Sequence, residues 1–202
     1  ENMSAQLSKE ATKEIVKYTD IIASETTRLS EMVNNALTIA KGTHPTSRKK
    51  IKAIPDHIIE ETVSKLSPLL KKQIEKITFN LQTPYEVEID RSALEQILVN
   101  LLDNARKYAA DTNIRISSKI EGEVFTLSVR DWGPSFSKNN LRSIFKPFSQ
   151  SSKGEAKRDG FGLGLAVCEQ LAKENDGFVK AEQANPGARF IVALKIKPIN
   201  QQ

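Results

Sequence analysis

The chain has 202 residues, and at about 150 residues per domain this length predicts one compact domain with a smaller element beside it. Hydrophobic residues make up 39% and charged residues 27%, proportions that exclude a disordered, a collagen-like or a membrane-spanning chain. The 30 basic and 25 acidic residues leave a net charge of +5, which suits an anionic partner but lacks the dense basic stripe expected of a nucleic-acid-binding protein.

The first 41 residues predict one long helix, because neither glycine nor proline occurs among them. Apolar positions recur from Leu7 to Ile39 in alternating steps of three and four, interrupted by Glu25. This heptad pattern fits a helix packed on its own domain or a helix bundle formed with a second copy, and it favours the second copy. Residues 42–53, with a glycine, a proline and a basic cluster, predict a linker.

After the linker, helical and strand patterns are mixed. Asp56 is a candidate N-cap for a helix ending near Gln73, and Asp90 for a helix ending near Tyr108. Strands are predicted at residues 77–81, 87–89, 113–120, 124–130, 177–184 and 188–196, and a further helix at 163–175. This order predicts an α+β fold, a sandwich in which one mixed sheet is covered by helices.

The helix after Asp90 separates an apolar stripe from a polar one. The polar stripe consists of Gln96, Asn100, Asp103, Asn104 and Lys107. Asparagine is a poor residue inside a helix, so two in successive turns carry a cost that a function would offset. An amide oxygen is a hard ligand for Mg²⁺, and a lysine supplies positive charge for phosphates. From this helix alone, a solvated polar face explains the same residues equally well.

The segment from Asp131 to Ser135 follows a predicted strand. A carboxylate at a strand end can accept a hydrogen bond from an exocyclic amine such as that of adenine. The neighbouring Gly133 would let a ligand approach the backbone. Taken alone, the same residues are typical of a turn, and that interpretation stays open.

Gly160, Gly162 and Gly164 open a predicted apolar helix, and the N-terminus of a helix can hold phosphate oxygens. The preceding residues 149–159 are polar, which excludes the strand that a dinucleotide-binding fingerprint requires. They predict a mobile lid over a polyphosphate, or alternatively a plain solvated loop. The cations available to such a lid are Lys153, Lys157 and Arg158.

Four segments, in chain order, resemble the N, G1, F and G2 boxes of sensor histidine kinases, the two-component branch of the GHKL ATPase superfamily. They read LEQILVNLLDNARKYA, DWGPSF, IFKPF and GFGLGLAV. The resemblance implies an α/β sandwich of the GHKL ATPase type preceded by a long coiled-coil-like helix. It implies a dimerisation helix at residues 1–43, a linker at 44–53, and a catalytic and ATP-binding domain at 54–202.

The resemblance also implies roles for the matching residues, with ATP and Mg²⁺ as cofactors. Asn104 would be the metal ligand, while Asn100 and Lys107 would contact phosphates. Asp131 would bind the adenine amine, and Gly133 would make room for the ring. The implied ATP-binding residues are Asn100, Asn104, Lys107, Tyr108, Asp131, Gly133, Gly160, Gly162, Leu163 and Gly164.

The resemblance implies that the chain is a fragment of a protein-histidine kinase. Such a kinase transfers the γ-phosphoryl group of ATP to a histidine of the dimerisation domain. The phosphoryl group would then pass to the receiver domain of a response regulator. Neither His44 nor His57 has the family's acceptor context, so we assign no catalytic residue and expect either a fragment whose first hairpin helix lies upstream or a natural partial kinase. The N-terminal helix resembles the second hairpin helix, which implies a homodimer. The alternative is a non-catalytic, pseudokinase-like dimerisation and regulatory module.

Two departures from the family pattern bear on activity. Ser135 stands where a second glycine is common, and a positive φ there would cost serine about 1 kcal/mol and weaken nucleotide binding. Gln96 stands where hydrolytic GHKL ATPases have a glutamate base, so steady ATP hydrolysis is disfavoured. Phe145 and Phe148 are expected to anchor the near end of the lid by apolar packing, or to be ordinary core aromatics.

The sequence also gives expectations about location. The single cysteine, Cys168, permits neither an internal disulfide nor a thiolate zinc site, so we expect a reducing compartment. The polar N-terminus does not resemble a signal peptide. We therefore expect a cytoplasmic protein without a nucleic-acid partner, attached to a membrane only through upstream segments if at all.

Overall fold

The computed structural model describes residues 2–41, 49–135, 141, 143–149 and 161–199. They belong to two units, Glu1–Leu37 and Thr38–Gln202. Gly160, the three candidate lid cations and His44 lie outside the described residues. Among the described helices, none combines the length and the apolar character needed to cross a bilayer.

The N-terminal unit is formed by one long helix, as predicted. Helix α1 comprises Asn2–Lys41 and continues four residues past the boundary of the unit. Several side chains of the heptad pattern are exposed, with Ile15 at 65%, Ile22 at 66% and Leu29 at 57%. Apolar side chains repeating at this spacing form a stripe that a partner helix can cover.

The second unit alternates helices and strands. Its helices are α2 (Pro55–Lys65), α3 (Ser67–Leu70), α4 (Arg91–Tyr108) and α5 (Gly164–Glu174), with 3₁₀ turns at Lys71–Lys76 and Ser143–Phe145. Its strands are β1 (Ile51–Ala53), β2 (Ile77–Asn80), β3 (Val87–Ile89), β4 (Ile114–Glu121), β5 (Val124–Asp131), β6 (Phe178–Gln183), β7 (Ala188–Lys195) and β8 (Lys197–Pro198). The predicted α+β arrangement of helices and strands is confirmed.

The strands form two sheets. The larger sheet has the order β2-β4-β5-β7-β6 and is mixed, because β2 runs parallel to β4 while the other pairs are antiparallel. The smaller antiparallel sheet has the order β1-β3-β8. Strand β1 pairs Ile51 with Ile89 and Ala53 with Val87. Residues 51–53 were predicted as part of the linker, so that prediction extends three residues too far.

The hydrophobic core lies between the larger sheet and the helices. Helix α4 supplies its centre, and the predicted apolar stripe of this helix is buried throughout. The stripe residues Leu94, Ile97, Leu98, Leu101 and Ala105 are at most 4% exposed. The side chain of Asp90 caps α4 as predicted, accepting a hydrogen bond from the backbone N–H of Ala93 at 3.0 Å.

The prediction that Asp56 caps a helix is wrong. Pro55 begins α2 and Ile54 is its N-cap residue, because a proline ring already fixes the φ of a first helical residue. The buried carboxylate of Asp56 instead accepts hydrogen bonds from the backbone N–H of Thr83 at 2.7 Å and from Ser118 Oγ at 2.6 Å. It therefore ties α2 to β4. The helix also ends at Lys65 rather than near residue 73.

We expect Asp56→Asn to lower the free energy of unfolding by about 1–2 kcal/mol, because an amide turns one buried acceptor oxygen into a donor facing other donors. Urea unfolding followed by circular dichroism measures this change. Glu60→Gln on the same helix, at an exposed position, is the matched control and should change stability little. An Asp56→Asn variant as stable as the parent chain would contradict the assigned network.

Candidate nucleotide-binding site

The polar stripe of α4 is not a solvated face. All five of its residues are only partly exposed, although they are polar or charged. The side-chain amide nitrogens of Asn100 and Asn104 are buried and have no hydrogen-bond partner within the described residues. An unsatisfied buried donor costs about 1–3 kcal/mol. The solvated-face interpretation, left open from the sequence, therefore does not account for these two asparagines.

The N-terminus of α5 lies against Asn100. A Cβ added to Gly164, the first residue of α5, would lie 3.3 Å from Asn100 Oδ1. One turn later, the Sγ of Cys168 lies 3.8 Å from the carbonyl of Ile97, and burial raises the pKa of this thiol to about 12. The thiol faces the Asn100 amide, but a neutral thiol is a weak acceptor. The two helices thus bring the predicted N and G2 boxes together.

The N-cap residue of α5 has no side chain that can cap the helix. Leu163 is its N-cap residue and forms no side-chain cap hydrogen bond. The side chain of Leu163 is only 3% exposed and packs inward, so the polar groups that this residue offers are those of its backbone. Backbone N–H groups and the positive end of the helix dipole are suited to an anion at such a terminus.

Lys107 and Arg106 both pair with one carboxylate. Lys107 Nζ forms an ion pair with Asp103 Oδ2, and Arg106 Nη2 lies 2.8 Å from Asp103 Oδ1. The side chain of Lys107 is 19% exposed. Asp103 therefore holds the lysine on the same face as the two asparagines. Tyr108, the last residue of α4, is 38% exposed.

Asp131 is the buried last residue of β5, with 7% of its surface exposed. Its Oδ1 accepts hydrogen bonds from the backbone N–H of Gly133 at 2.9 Å and of Ala188 at 3.4 Å. Burial raises the pKa of this carboxyl above its usual range, while the two backbone donors and Arg130 partly oppose the shift. Within the described residues, both of these donors bind the same oxygen, Oδ1. One carboxylate oxygen is thus fixed and the other can bind a ligand.

Gly133 is packed against the end of α4. A Cβ at this position would lie 2.5 Å from the Cβ of Ala109 and 2.8 Å from its Cα. Both distances are shorter than carbon atoms can approach, so the backbone reaches this place only without a side chain. Packing within the protein therefore already requires a glycine here, and the predicted role of Gly133 in making room for adenine would be additional.

We expect Gly133→Ala to lower the free energy of unfolding by about 1–2 kcal/mol through overpacking against Ala109. Thermal unfolding of the single variants and of the double variant Gly133→Ala with Ala109→Gly tests the contact. The double variant should recover part of the loss, because the second change removes the Cβ that the first one meets. Purely additive losses would argue against this contact.

Ser135 differs from its prediction. Its φ is not positive, so the expected backbone cost does not arise. Its Oγ instead donates to the carbonyl of Ala184 at 3.0 Å and accepts from the backbone N–H of Gly187 at 3.2 Å. A glycine could not make these bonds. Ser135 therefore joins the segment after β5 to the turn between β6 and β7.

The residues before α5 meet the predictions in part. Gly162 has a φ of +68°, and a Cβ there would lie 2.7 Å from the carbonyl oxygen of Ser149, so this position requires glycine. Phe145 is buried in the core at 8% exposure. Phe148 was predicted to anchor the lid by packing, but its side chain is 63% exposed and its φ is +61°, so the packing role is wrong for this residue.

The sequence did not predict that Trp132 holds two cations. The guanidinium of Arg130 lies 4.4 Å from the centre of its ring and that of Arg115 lies 5.4 Å away. The alternation of basic and hydroxyl residues along β4 and β5 was a usable signal, since alternate residues of a strand share a face. The spacing of Asp103 and Lys107 likewise indicates a pair one helical turn apart.

Comparison with known proteins gives the family. Residues 89–198, more than half of the chain, match the family model of histidine kinase-, DNA gyrase B- and HSP90-like ATPases. Sensor protein KdpD of Escherichia coli strain K12 is 34% identical over 175 residues, which cover 84% of this chain and 19% of KdpD. The chain thus spans about a fifth of that relative.

Solved structures agree in fold. Full-length ShkA in complex with AMPPNP has a TM-score of 0.71 and 25% identity, covering 85% of this chain and 36% of ShkA. Histidine kinase ThkA in complex with the response regulator protein TrrA has a TM-score of 0.67 and 24% identity, covering 92% of this chain and 52% of ThkA. With the matching ATPase domain and these relatives, the chain belongs to the histidine kinase-, DNA gyrase B- and HSP90-like ATPase family, in its sensor histidine kinase branch.

Proposed function

We propose that this chain binds Mg²⁺ and ATP on the polar face of α4 and supports transfer of the γ-phosphoryl group to a histidine of a dimerisation hairpin. The observation that carries the proposal is that the amide nitrogens of Asn100 and Asn104 are buried and have no hydrogen-bond partner among the described residues. A ligand that engages both carboxamides would offset their burial and their poor helix propensity.

Phosphate oxygens fit the place where α4 meets α5. The carboxamide of Asn100 lies beside Gly164, the first residue of α5, and the backbone N–H groups and the positive end of the dipole at this helix start suit a phosphate. Gly164 leaves no side chain between the helix end and Asn100. Gly160 and Gly162 belong to this proposal by position in the motif.

The donor set of α4 also suits a magnesium ion. A half-turn of the Asn104 carboxamide about its last side-chain bond presents the oxygen instead of the nitrogen, and Mg²⁺ prefers oxygen ligands. When bound, the metal neutralises phosphate charge as the γ-phosphoryl group moves. Lys107, held on this face by Asp103, adds a positive charge for the same phosphates.

We assign the adenine end to Asp131. Its Oδ1 is occupied by two backbone donors, so the carboxylate has a fixed orientation and can offer Oδ2 to an exocyclic amine. Tyr108 and Gly133 complete this end of the proposed site. ShkA, a neighbour in fold, was solved with the ATP analogue AMPPNP, which supports a nucleotide in this kind of domain.

The partners that we propose are a second copy and a response regulator. The exposed apolar stripe of α1 at Ile15, Ile22 and Leu29 supports dimerisation through this helix. ThkA was solved in complex with the response regulator TrrA, which supports a receiver domain as the phosphoryl acceptor downstream. Because ATP is the phosphoryl donor, we also propose a cytoplasmic location.

A purely regulatory module has less support than it had from the sequence. Ser135 favoured that alternative through an expected strain, and its φ brings no such strain. The two asparagines of α4 are unfavourable inside a helix, and a pocket without a ligand would not need them.

Two measurements test the proposal. Titration calorimetry with AMPPNP should give saturable binding that weakens strongly when Mg²⁺ is removed. Incubation with labelled ATP and a separate hairpin that contains the acceptor histidine should yield acid-labile phosphate on that hairpin. Binding without phosphotransfer to a competent hairpin would leave a nucleotide-binding regulator, and absence of binding would contradict the whole proposal.

A further inference from the structure

A row of three arginines crosses the face of the larger sheet that points away from the core. Arg115 in β4 is the register partner of Arg130 in β5, which is in turn the partner of Arg189 in β7. Residues such as Ile114 and Val129 next to them point into the core, so the arginines point the other way. Adjacent strands lie about 5 Å apart, and like charges directly opposite one another are destabilising. Repulsion among the three arginines therefore destabilises the folded state.

Few acids neutralise the row. Within the described residues, neither Arg115 nor Arg130 has a carboxylate within 4 Å, and the Nε of Arg130 is buried without a partner. Arg189 lies 3.9 Å from Glu182, but that carboxylate also pairs with Lys180 at 2.8 Å. Positive charge thus remains available on this face for a partner.

Trp132 orders two of these side chains. It lies beneath the guanidinium planes of both Arg115 and Arg130. A guanidinium held on an aromatic ring has lost much of its conformational freedom before any ligand arrives. Its planar fork can then donate two hydrogen bonds to a carboxylate at a smaller entropic cost than a free side chain.

Apolar groups lie next to the charged row. A concavity of about 500 Å³ on this face is lined by the arginines together with Phe178, Ile191 and the hydroxyl of Ser128. Phe178 is 55% exposed. An inorganic anion could pair with the arginines but would leave the apolar part uncovered. A polypeptide can carry carboxylates and apolar side chains on nearby residues, so it can contact the arginines and the apolar part of the concavity together.

We propose that the open face of the larger sheet binds an acidic polypeptide segment, whose Asp or Glu carboxylates pair with the arginine row while an apolar side chain covers Phe178. The helices that form the proposed nucleotide site pack on the other face of this sheet. Binding here is therefore a second function, independent of whether the nucleotide assignment holds.

Trp132 is the only tryptophan of the chain, so its fluorescence reports on the arginine row directly. The first probe is a ten-residue peptide of alternating glutamate and leucine, and its control is the same peptide with glutamine in place of glutamate. We expect a saturable fluorescence change with the glutamate peptide alone, and weaker binding at higher salt. Equal binding of both peptides would overturn the proposal.

The variant Arg115→Gln tests the location of the site and avoids Arg130, whose charge acts on Asp131. Anisotropy of the labelled glutamate peptide should show affinity lower by about three- to tenfold. Lys65→Gln, an equal loss of charge at an exposed position of α2, should leave the affinity unchanged. If both variants lower the affinity equally, net charge alone explains peptide binding and the proposed site is wrong.

Competition distinguishes the class of ligand. Inorganic tripolyphosphate and a single-stranded oligonucleotide are added to the peptide complex at matched ionic strength. Displacement by either at lower concentration than unlabelled peptide would contradict a polypeptide ligand. Thermal unfolding and circular dichroism show whether Arg115→Gln is folded, and if it is not, the comparison of the two peptides on the parent chain still decides.

Discussion

Replacing Asn104 with leucine should stabilise the protein while destroying its nucleotide site. Leucine has nearly the same shape, removes the buried unpartnered amide nitrogen and is a better helix former, so we expect the free energy of unfolding to rise by about 1–2 kcal/mol. The affinity for AMPPNP with Mg²⁺ should fall about a hundredfold, because the proposed metal ligand is lost. Thermal unfolding and titration calorimetry on the same sample measure both effects.

Asn175→Leu is the matched control. This asparagine is 3% exposed, but its amide nitrogen donates to the carbonyl of Leu171 at 3.0 Å. Its replacement should lower the free energy of unfolding by about 1 kcal/mol, the opposite sign, since a satisfied hydrogen bond is lost. A destabilised Asn104→Leu variant that still binds nucleotide would show that this asparagine serves the fold and not the ligand.

The opposite stability changes expected for Asn104→Leu and Asn175→Leu follow from how the site is built. Among the described residues the amide nitrogens of Asn100 and Asn104 have no partner, and the Asn100 carboxamide lies beside the first residue of α5, so the protein without ligand keeps polar groups ready at some cost in stability. Polar groups placed before the ligand arrives need little reorganisation when charge shifts among phosphate oxygens. The same logic holds at the adenine end, where two backbone N–H groups fix the carboxylate of Asp131.

Local signals in the sequence predicted much of this arrangement. The 3.6-residue period and the cap at Asp90 predicted α4 with its polar and apolar faces, because both signals lie within one element. The turn residues and the alternation of strands predicted the antiparallel pair β4 and β5 to within one residue at each end. The type of an element depends mainly on residues close together in the chain, and in α4, β4 and β5 these residues give strong local signals.

What the sequence missed depends on residues far apart in the chain. Asp56 looks like a cap, but its partner Ser118 lies 62 positions away. Ser135 looks like a strained substitute for glycine, but the carbonyl that it binds lies 49 positions away. Strand β1 has three residues, too few for a period to appear. In each case the deciding contact exists only after the sheets have formed.

The second large effect concerns pH. Burial raises the pKa of Asp131, so its carboxylate takes up a proton at a higher pH than an exposed aspartate does. A protonated Asp131 no longer offers a charged acceptor to the adenine amine. We therefore expect the affinity for ATP to fall as the pH is lowered through this raised pKa. A hydrogen bond to a charged group is worth about 1.5–3 kcal/mol, so the loss should reach about tenfold or more.

Inosine triphosphate is the matched ligand, because it has the same phosphates but no exocyclic amine. The ratio of the two affinities, measured by calorimetry from neutral to acidic pH, cancels the titration of the phosphates themselves. The preference for ATP should shrink as Asp131 is protonated. In Asp131→Asn the preference should be lost at every pH, because the amide nitrogen places a donor opposite a donor.

Stability should respond to the same protonation with the opposite sign. The folded state binds the proton of Asp131 more tightly than the unfolded state does, so this group stabilises the fold below its unfolded pKa. That contribution is lost as the pH rises through the folded pKa. Lowering the pH thus weakens adenine binding but increases the contribution of Asp131 to the free energy of unfolding. At neutral pH the packing around Asp131 keeps its charged carboxylate in place. A preference for ATP over inosine triphosphate that does not change with pH would place the adenine elsewhere.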